Sequence, residues 1–372
     1  METGNTRILV VDDSAVMREL MCQTIENADR MEVAGTAYDG QNALSQIEEL
    51  SPDLVTLDIM MPRMDGLQTL DAILKRDPIP VIMVSAMATR AADITLDALD
   101  RGAMDYIAKP ENLAAAQGEF QEELLRKIRA SSGIDIHRIL EIRAKRRQKR
   151  ASRAVKKSPA PTAAPPLAFQ DKCIAIGIST GGPPALAAMF ATLQPPMPPI
   201  VIVQHMPGHF TGSFASRLDS LSELSVKEAQ TGDRLQPNHV LLAPGGVHLE
   251  LQRRGNSAQV IILDEEPVSG HKPSVDVMMK SAAQIFGNRC LGVIMTGMGR
   301  DGSDGCRDIR KCGGYVLGQD QETSDVYGMN KIAMTEGNVD QQFSLDHAVG
   351  TITKQVRRLW RVIPNKQLAG LR

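Results

Sequence analysis

The sequence predicts an α/β fold class, with one doubly wound parallel sheet on each side of a central linker. Short apolar runs alternate with stretches of helical periodicity, which is the pattern of parallel strands joined by helices. The length of 372 residues predicts two or three domains. A basic and then proline-rich segment interrupts the alternation. We therefore expect domains over residues 5–125 and 170–364, joined by a linker over residues 126–169.

In the first half, five apolar runs predict five strands, and helical patterns separate them. The strands are expected at 8–11, 33–37, 54–57, 81–84 and 106–108, and the helices at 15–28, 40–50, 66–75 and 91–101. The chemistry of such a sheet gathers at the carboxyl ends of its strands. The polar residues at these ends are Asp12 and Asp13 after the first strand, Asp58 after the third, Ser85 after the fourth and Lys109 after the fifth.

These strand-end residues predict a phosphoryl and metal site. Three carboxylates at one edge repel each other unless a cation lies among them, and oxygen ligands suit Mg²⁺. Lys109 and Ser85 would then bind a phosphoryl group that one carboxylate carries. A single Asp at a strand end is more often a cap on the next helix, but five suitable residues at four strand ends favour a site.

The linker is defined by its composition. Nine of the fifteen residues from 143 to 157 are Lys or Arg and none is acidic, and residues 158–166 contain four prolines. Such a segment is typical of an extended connection. The formal charge of −2 is thus a cancellation, because 33 basic and 44 acidic residues remain outside the basic run. The run is either a solvated hinge or an electrostatic tether to an acidic partner surface.

In the second half, the strand at 173–178 ends in a candidate nucleophile, Ser179. Residues 177–181 form a G-x-S-x-G pattern between this strand and a helix expected at 185–193, which is the setting of a nucleophile elbow. Gly177 and Gly182 have the spacing of a phosphate-binding loop, but Pro183 and Pro184 replace its Lys and Ser/Thr, so that alternative fails.

A base and an acid follow the next two predicted strands. The strand at 200–203 is followed by His205, and the strand at 291–295 is followed by Asp301. Each residue of the three has a simple structural alternative, as a helix cap, a surface residue or a turn former. Their placement at three strand ends favours a Ser-His-Asp triad, with backbone N–H groups before Asp301 as an oxyanion hole.

The first half resembles the receiver domain of two-component response regulators, a flavodoxin-like fold, through the motifs at 12–14, 57–66, 84–86 and 109–110. This resemblance implies that Asp58 accepts phosphate from a histidine kinase. It also implies that Asp12, Asp13, Asp58 and the carbonyl of Met60 bind Mg²⁺, directly or through water. Ser85 and Lys109 would contact the phosphoryl group and transmit the change.

The second half resembles the chemotaxis protein-glutamate methylesterase family, known as CheB. The shared motifs lie at 177–182, 203–207, 271–276, 295–302 and 319–324. The resemblance implies a Ser179-His205-Asp301 triad without a cofactor, and an oxyanion hole to which the amide of Met298 contributes. It implies hydrolysis of glutamate methyl esters on chemoreceptors and deamidation of receptor glutamines. It also implies that the unphosphorylated receiver covers the active site and that phosphorylation relieves this inhibition. Asn330 departs from the usual family motif, in which a proline follows Gly-Met.

Two other functions stay open at this point. One is a response regulator that binds DNA through the basic run, although that run lacks aromatic residues and an adjoining helix-turn-helix pattern. The other is a receiver-controlled serine esterase for small molecules. Aromatic residues make up only 3% of the chain, which argues against nucleic-acid stacking. Five cysteines without a CxxC pair, no signal segment and no membrane-spanning run predict a cytoplasmic protein that does not insert into membranes.

Overall fold

The structure is a computed structural model that describes residues 4–86, 89–110, 112–151, 169–255 and 257–360. The chain separates into two compact units, Met1–Lys145 and Arg146–Arg372. The proline-rich run at 158–166 lies outside the described residues, so the linker boundaries stay a prediction. None of the described helices is long and apolar enough to cross a bilayer.

The first unit alternates strands and helices as the sequence predicted. Its strands are β1 (Thr6–Val11), β2 (Met31–Ala37), β3 (Leu54–Asp58), β4 (Val81–Ser85) and β5 (Asp105–Ala108). Its helices are α1 (Ala15–Glu26), α2 (Gly40–Leu50), α3 (Gly66–Arg76), α4 (Thr89–Arg101), α5 (Leu113–Ser131) and α6 (Ile136–Ala151). All five strands pair in parallel in the order β2-β1-β3-β4-β5, which confirms the doubly wound sheet.

The first three helices of the first unit begin at polar caps that the sequence supplies. Ser14 accepts a hydrogen bond from Met17 N at the start of α1. Asp39 caps α2, and Asp65 forms a capping box with Gln68 at the start of α3. These caps satisfy N–H groups that have no partner inside a helix. They therefore fix where the chain turns back after β1, β2 and β3.

Helix α6 occupies part of the segment that the sequence predicted as linker. Ile136 and Ile139 are buried and form a hydrophobic cluster with Met104. Arg143, the first residue of the basic run, is only 4% exposed and donates to the carbonyls of Leu99 (3.3 Å) and Ala103 (2.9 Å). The start of this segment is therefore packed, because its apolar positions recur at helical spacing.

The second unit holds the larger sheet. Its strands are β6 (Cys173–Ile178), β7 (Ile200–Gln204), β8 (Ser225–Glu228), β9 (His239–Leu242), β10 (His248–Arg254), β11 (Ser257–Leu263), β12 (Cys290–Ile294), β13 (Tyr315–Gln319) and β14 (Gln341–Phe343). Its helices are α7 (Gly182–Phe190), α8 (Gly208–Leu221), α9 (Val275–Phe286), α10 (Ser303–Lys311), α11 (Met329–Thr335) and α12 (Ala348–Trp360).

Seven of these strands form one parallel sheet in the order β14-β13-β12-β6-β7-β9-β8, while β10 and β11 pair as a separate antiparallel hairpin. Strand β6 lies between β7 and β12. The chain first adds β7, β8 and β9 on one side of β6 and then crosses over to add β12, β13 and β14 on the other. Ligands of such sheets bind beyond the carboxyl ends of the strands at this reversal point. Helix α7 begins at Gly182, three residues earlier than predicted, because prolines are well accommodated in the first turn of a helix.

Candidate active site

The candidate triad lies at the carboxyl ends of the three central strands of the second sheet. Ser179 directly follows β6, His205 directly follows β7, and Asp301 lies seven residues beyond β12. The backbone hydrogen bonding between neighbouring strands continues past the strand ends, since His205 N donates to Ile178 O at 3.1 Å and Ser179 N donates to Thr296 O at 2.9 Å. The backbones that carry the nucleophile and the base are therefore held side by side.

A tight turn follows Ser179. Gly182 N donates to Ser179 O at 2.8 Å, and Gly181 takes a φ of +77°, a conformation that favours glycine. A Cβ at Gly297 would lie 2.6 Å from the Ser179 Cβ, so this neighbour must also be glycine. The turn places Ser179 at the entrance to α7, as the G-x-S-x-G pattern predicted.

His205 and Asp301 form a buried pair. His205 Nε2 lies 2.8 Å from Asp301 Oδ2, and the two side chains are 6% and 0% exposed. The other ring nitrogen, Nδ1, is buried and has no hydrogen-bond partner among the residues that the structure describes. An imidazole held through Nε2 keeps Nδ1 for a proton exchanged with a third group.

Asp301 is held ionised by its hydrogen bonds. Burial alone would raise its pKa, but bonds from His205 and Ser274 and from the backbone N–H of Val275 lower the pKa to about 2. Ser274 Oγ and Val275 N each lie 2.7 Å from the carboxylate, and Asp276 N lies at 3.1 Å. These donors stand at the start of α9, where a helix favours negative charge.

The backbone around Met298 offers a free donor. The adjacent Gly297 is bonded in both directions, to Val326 O through its N–H (3.0 Å) and to Met329 N through its carbonyl (2.8 Å). In the described part of the chain, the amide N–H of Met298 has no hydrogen-bond partner. It therefore has the donor capacity that an oxyanion hole needs.

Sequence reasoning missed several residues that hold the candidate triad. The Gln204 amide is 2% exposed and donates to the carbonyls of Ser179 (3.0 Å) and His205 (3.1 Å). Thr296 Oγ1 donates to Thr180 O at 2.9 Å. Both lie inside the motifs at 203–207 and 295–302. Their residue types carry no signature, because they act on backbone carbonyls.

The first unit gathers the predicted phosphoryl-site residues. One carboxylate oxygen from each of Asp12, Asp13 and Asp58 lies within 4.8 Å of the others. Lys109 Nζ lies 2.7 Å from Asp12 Oδ2 and 2.8 Å from Asp58 Oδ2. Met60 N donates to Asp58 Oδ1 at 3.4 Å, so the Met60 peptide adjoins the cluster. Oxygen donors at this spacing fit a hard divalent cation such as Mg²⁺.

The charges of this cluster affect one another. Burial, with the charge of Asp12, raises the pKa of Asp58 to about 6, although Lys109 opposes the shift. Burial acts to lower the pKa of Lys109, but the carboxylates of Asp58 and Asp12 raise it overall. Ser85 is buried at the end of β4 and accepts a hydrogen bond from Thr95 Oγ1 in α4 at 2.9 Å. The predicted switch hydroxyl is thus tied to a helix.

Known protein families match both halves of the chain. The CheB methylesterase family matches residues 174–352, and the response regulator receiver domain family matches residues 8–118. The crystal structure of the Thermotoga maritima CheB methylesterase catalytic domain is 37% identical, covers 52% of this chain and 98% of its own, and gives a TM-score of 0.48.

Full-length relatives extend the match across the chain. A Cupriavidus pinatubonensis protein named protein-glutamate methylesterase/protein-glutamine glutaminase 2 is 43% identical over 92% of this chain and 93% of its own. A Chromohalobacter salexigens protein named protein-glutamate methylesterase/protein-glutamine glutaminase is 41% identical over 95% and 97%. The chain therefore belongs to the CheB methylesterase family, with a response regulator receiver domain in its amino-terminal half.

Proposed function

We propose that this chain is a phosphorylation-activated protein-glutamate methylesterase that acts on chemoreceptors and serves sensory adaptation in chemotaxis. One observation carries the esterase reaction. The buried His205–Asp301 pair lies beside Ser179 at neighbouring strand ends, with Nδ1 of His205 unpaired among the described residues. The names of the full-length relatives support the same substrate and a second activity on receptor glutamines.

In the proposed reaction, Ser179 Oγ attacks the side-chain ester carbonyl while His205 Nδ1 takes its proton. Asp301 fixes the tautomer of His205 and stabilises the imidazolium. The Met298 amide donates to the oxyanion. The imidazolium then protonates the departing methoxide, and methanol leaves. Water, deprotonated by His205, hydrolyses the acyl-enzyme to glutamate, and a glutamine substrate would release ammonia by the same steps.

Regulation is assigned to the first unit. Asp58 is the proposed acceptor of a phosphoryl group from a histidine kinase, and Ser85 and Lys109 would bind its oxygens. The proposed Mg²⁺ ligands are Asp12, Asp13, Asp58 and the Met60 carbonyl, directly or through water. Mg²⁺ held there would neutralise charge on the phosphoryl group. Lys109 already lies within bonding distance of two of these carboxylates.

The test is methanol release from methylated chemoreceptors in membranes. Ser179→Ala is expected to reduce the rate by at least about a thousandfold, because the nucleophile is removed. Ser216→Ala is the matched control, since Ser216 is exposed in α8 and its hydroxyl donates to Gly212 O within the helix. Methanol release by the Ser179→Ala protein at the wild-type rate would refute the proposal.

A further inference from the structure

A two-residue turn fixes the backbone of His271 beside the candidate triad. Val268 N donates to His271 O at 3.1 Å and His271 N donates to Val268 O at 3.0 Å. The residues between them, Ser269 and Gly270, have φ values of 53° and 75°, as a type I′ turn requires. The imidazole of His271 therefore projects from a defined point rather than from a long loop.

The two imidazoles of this site are stacked. The ring centroids of His205 and His271 lie 3.7 Å apart and the planes differ by 10°. Asp301 contacts His205 at Nε2. One hydrogen bond at one ring atom leaves the ring able to swing about that bond. A parallel ring at van der Waals distance blocks this rotation on one face of the imidazole.

The chain that leaves His271 also holds Asp301. Ser274 Oγ donates to Asp301 Oδ1, and Val275 N donates to Asp301 Oδ2, both at 2.7 Å. A single segment, residues 271–276, thus contacts the base through a ring and the carboxylate through hydrogen bonds. The relative position of His205 and Asp301 depends on this segment as well as on the strands.

We propose that His271 is a positioning residue, which holds the ring of His205 in the orientation that its hydrogen bond with Asp301 requires and so keeps Nδ1 available to Ser179. This inference rests on the proposed esterase reaction. Misplacement of a catalytic group by about 1 Å costs about a hundredfold in rate. Loss of the stacked ring is therefore expected to lower kcat and to leave KM for the receptor nearly unchanged, because His271 acts through His205.

Two variants of His271 separate ring stacking from space filling. His271→Leu fills much of the space without a flat ring, whereas His271→Phe restores a flat ring without an ionisable group. We expect the Leu variant to lose about ten- to a hundredfold in kcat and the Phe variant to stay within about threefold of wild type. His239→Ala is the control, since His239 is the first residue of β9 and lies at the amino-terminal ends of the strands, away from the carboxyl ends that carry the candidate triad.

The rate of Ser179 labelling by a fluorophosphonate gives a second readout that needs no receptor. It should fall for His271→Leu and recover for His271→Phe. Equal kcat and labelling in wild type and the Leu variant would overturn the inference, and so would a Phe variant as slow as the Leu variant. Failure of the wild type to release methanol would instead count against the proposed function.

Discussion

Two buried carboxylates in the second unit, Asp301 and Asp276, each accept hydrogen bonds from the start of the helix beside the other. Asp301 precedes α10 but accepts hydrogen bonds at the start of α9. Asp276 belongs to α9 but accepts from Gly302 N (2.9 Å) and Gly305 N (2.7 Å) at the start of α10. Their pKa values are shifted in opposite directions. Hydrogen bonds lower the pKa of Asp301, whereas burial and the charge of Asp301 raise the pKa of Asp276 to about 6. Only Asp301 has an imidazole partner.

Replacement of Asp276 by Asn should stabilise the protein at neutral pH. A raised pKa means that the folded state favours protonated Asp276. The protonated carboxyl group therefore stabilises the folded protein fully below about pH 4, and this stabilisation is lost as the pH rises through about 6. Asn keeps an acceptor for the two glycine N–H groups and carries no charge. We expect a gain of about 1 kcal/mol in the free energy of unfolding at pH 7.5 and no gain at pH 4.

Urea unfolding of the full chain at both pH values, followed at the transition of the second unit, measures this difference. Asp264→Asn is the control, and it is expected to lower the free energy of unfolding at pH 7.5, because the Lys272 ammonium lowers the pKa of the exposed Asp264. A loss of stability in the Asp276→Asn protein at pH 7.5 would contradict the prediction. The role of Asp276 could not be predicted from the sequence, because it lies between two valines and its partners, Gly302 N and Gly305 N, are more than twenty residues away along the chain.

At the scale of elements, the end of α4 depends on a residue outside the predicted domain. The guanidinium of Arg143 in α6 binds Leu99 O in the last turn of α4 and Ala103 O just beyond it. These carbonyls have few partners at a helix end, and a cation there is favoured by the helix dipole. Arg143 is thus packed against the first unit, although it belongs to the basic run that was predicted to be a solvated hinge or a tether.

Arg143→Ala is expected to loosen the last turn of α4. The lost hydrogen bonds to a charged donor are worth about 1–2 kcal/mol of local stability, so amide hydrogen exchange in that turn should become about tenfold faster. Lys145→Ala is the matched control, because Lys145 is exposed and pairs only loosely with Glu141 at 3.8 Å. Equal exchange in the two variants would show that Arg143 does not secure α4.

Strand ends were the most predictable elements. Buried parallel strands are continuous apolar runs, and the residues that follow them meet at one edge, so Ser179, His205 and the acidic cluster were predicted from position and residue type. The segments that support the candidate triad were harder to predict from the sequence. Residues 271–276 lie next to no predicted strand end, and their hydrogen bonds are made partly by backbone N–H groups, which every residue type except proline carries.

At the scale of the whole molecule, the acidic excess outside the basic run lies in the first unit. Residues 1–142 hold 25 acidic and 13 basic residues, whereas residues 158–372 hold 19 acidic and 20 basic residues. In the first unit, α4 has a bond to the predicted switch hydroxyl Ser85 through Thr95, and its last turn is bonded to Arg143 in α6. A phosphoryl group that attracts Ser85 would release Thr95. Helix α4 therefore connects the predicted phosphoryl site to the segment that leaves the first unit.

Phosphorylation should therefore change the rate of the esterase only through Asp58. We expect acetyl phosphate with Mg²⁺ to raise methanol release by the wild-type chain at least about tenfold, an increase of about 1.4 kcal/mol in transition-state stabilisation. Asp58→Asn removes the acceptor, so its rate should be the same with and without the phosphodonor. Asp71→Asn is the control, because Asp71 is an exposed residue of α3 that pairs with Arg101. A rise in the Asp58→Asn protein equal to that of wild type would show that the phosphodonor acts elsewhere.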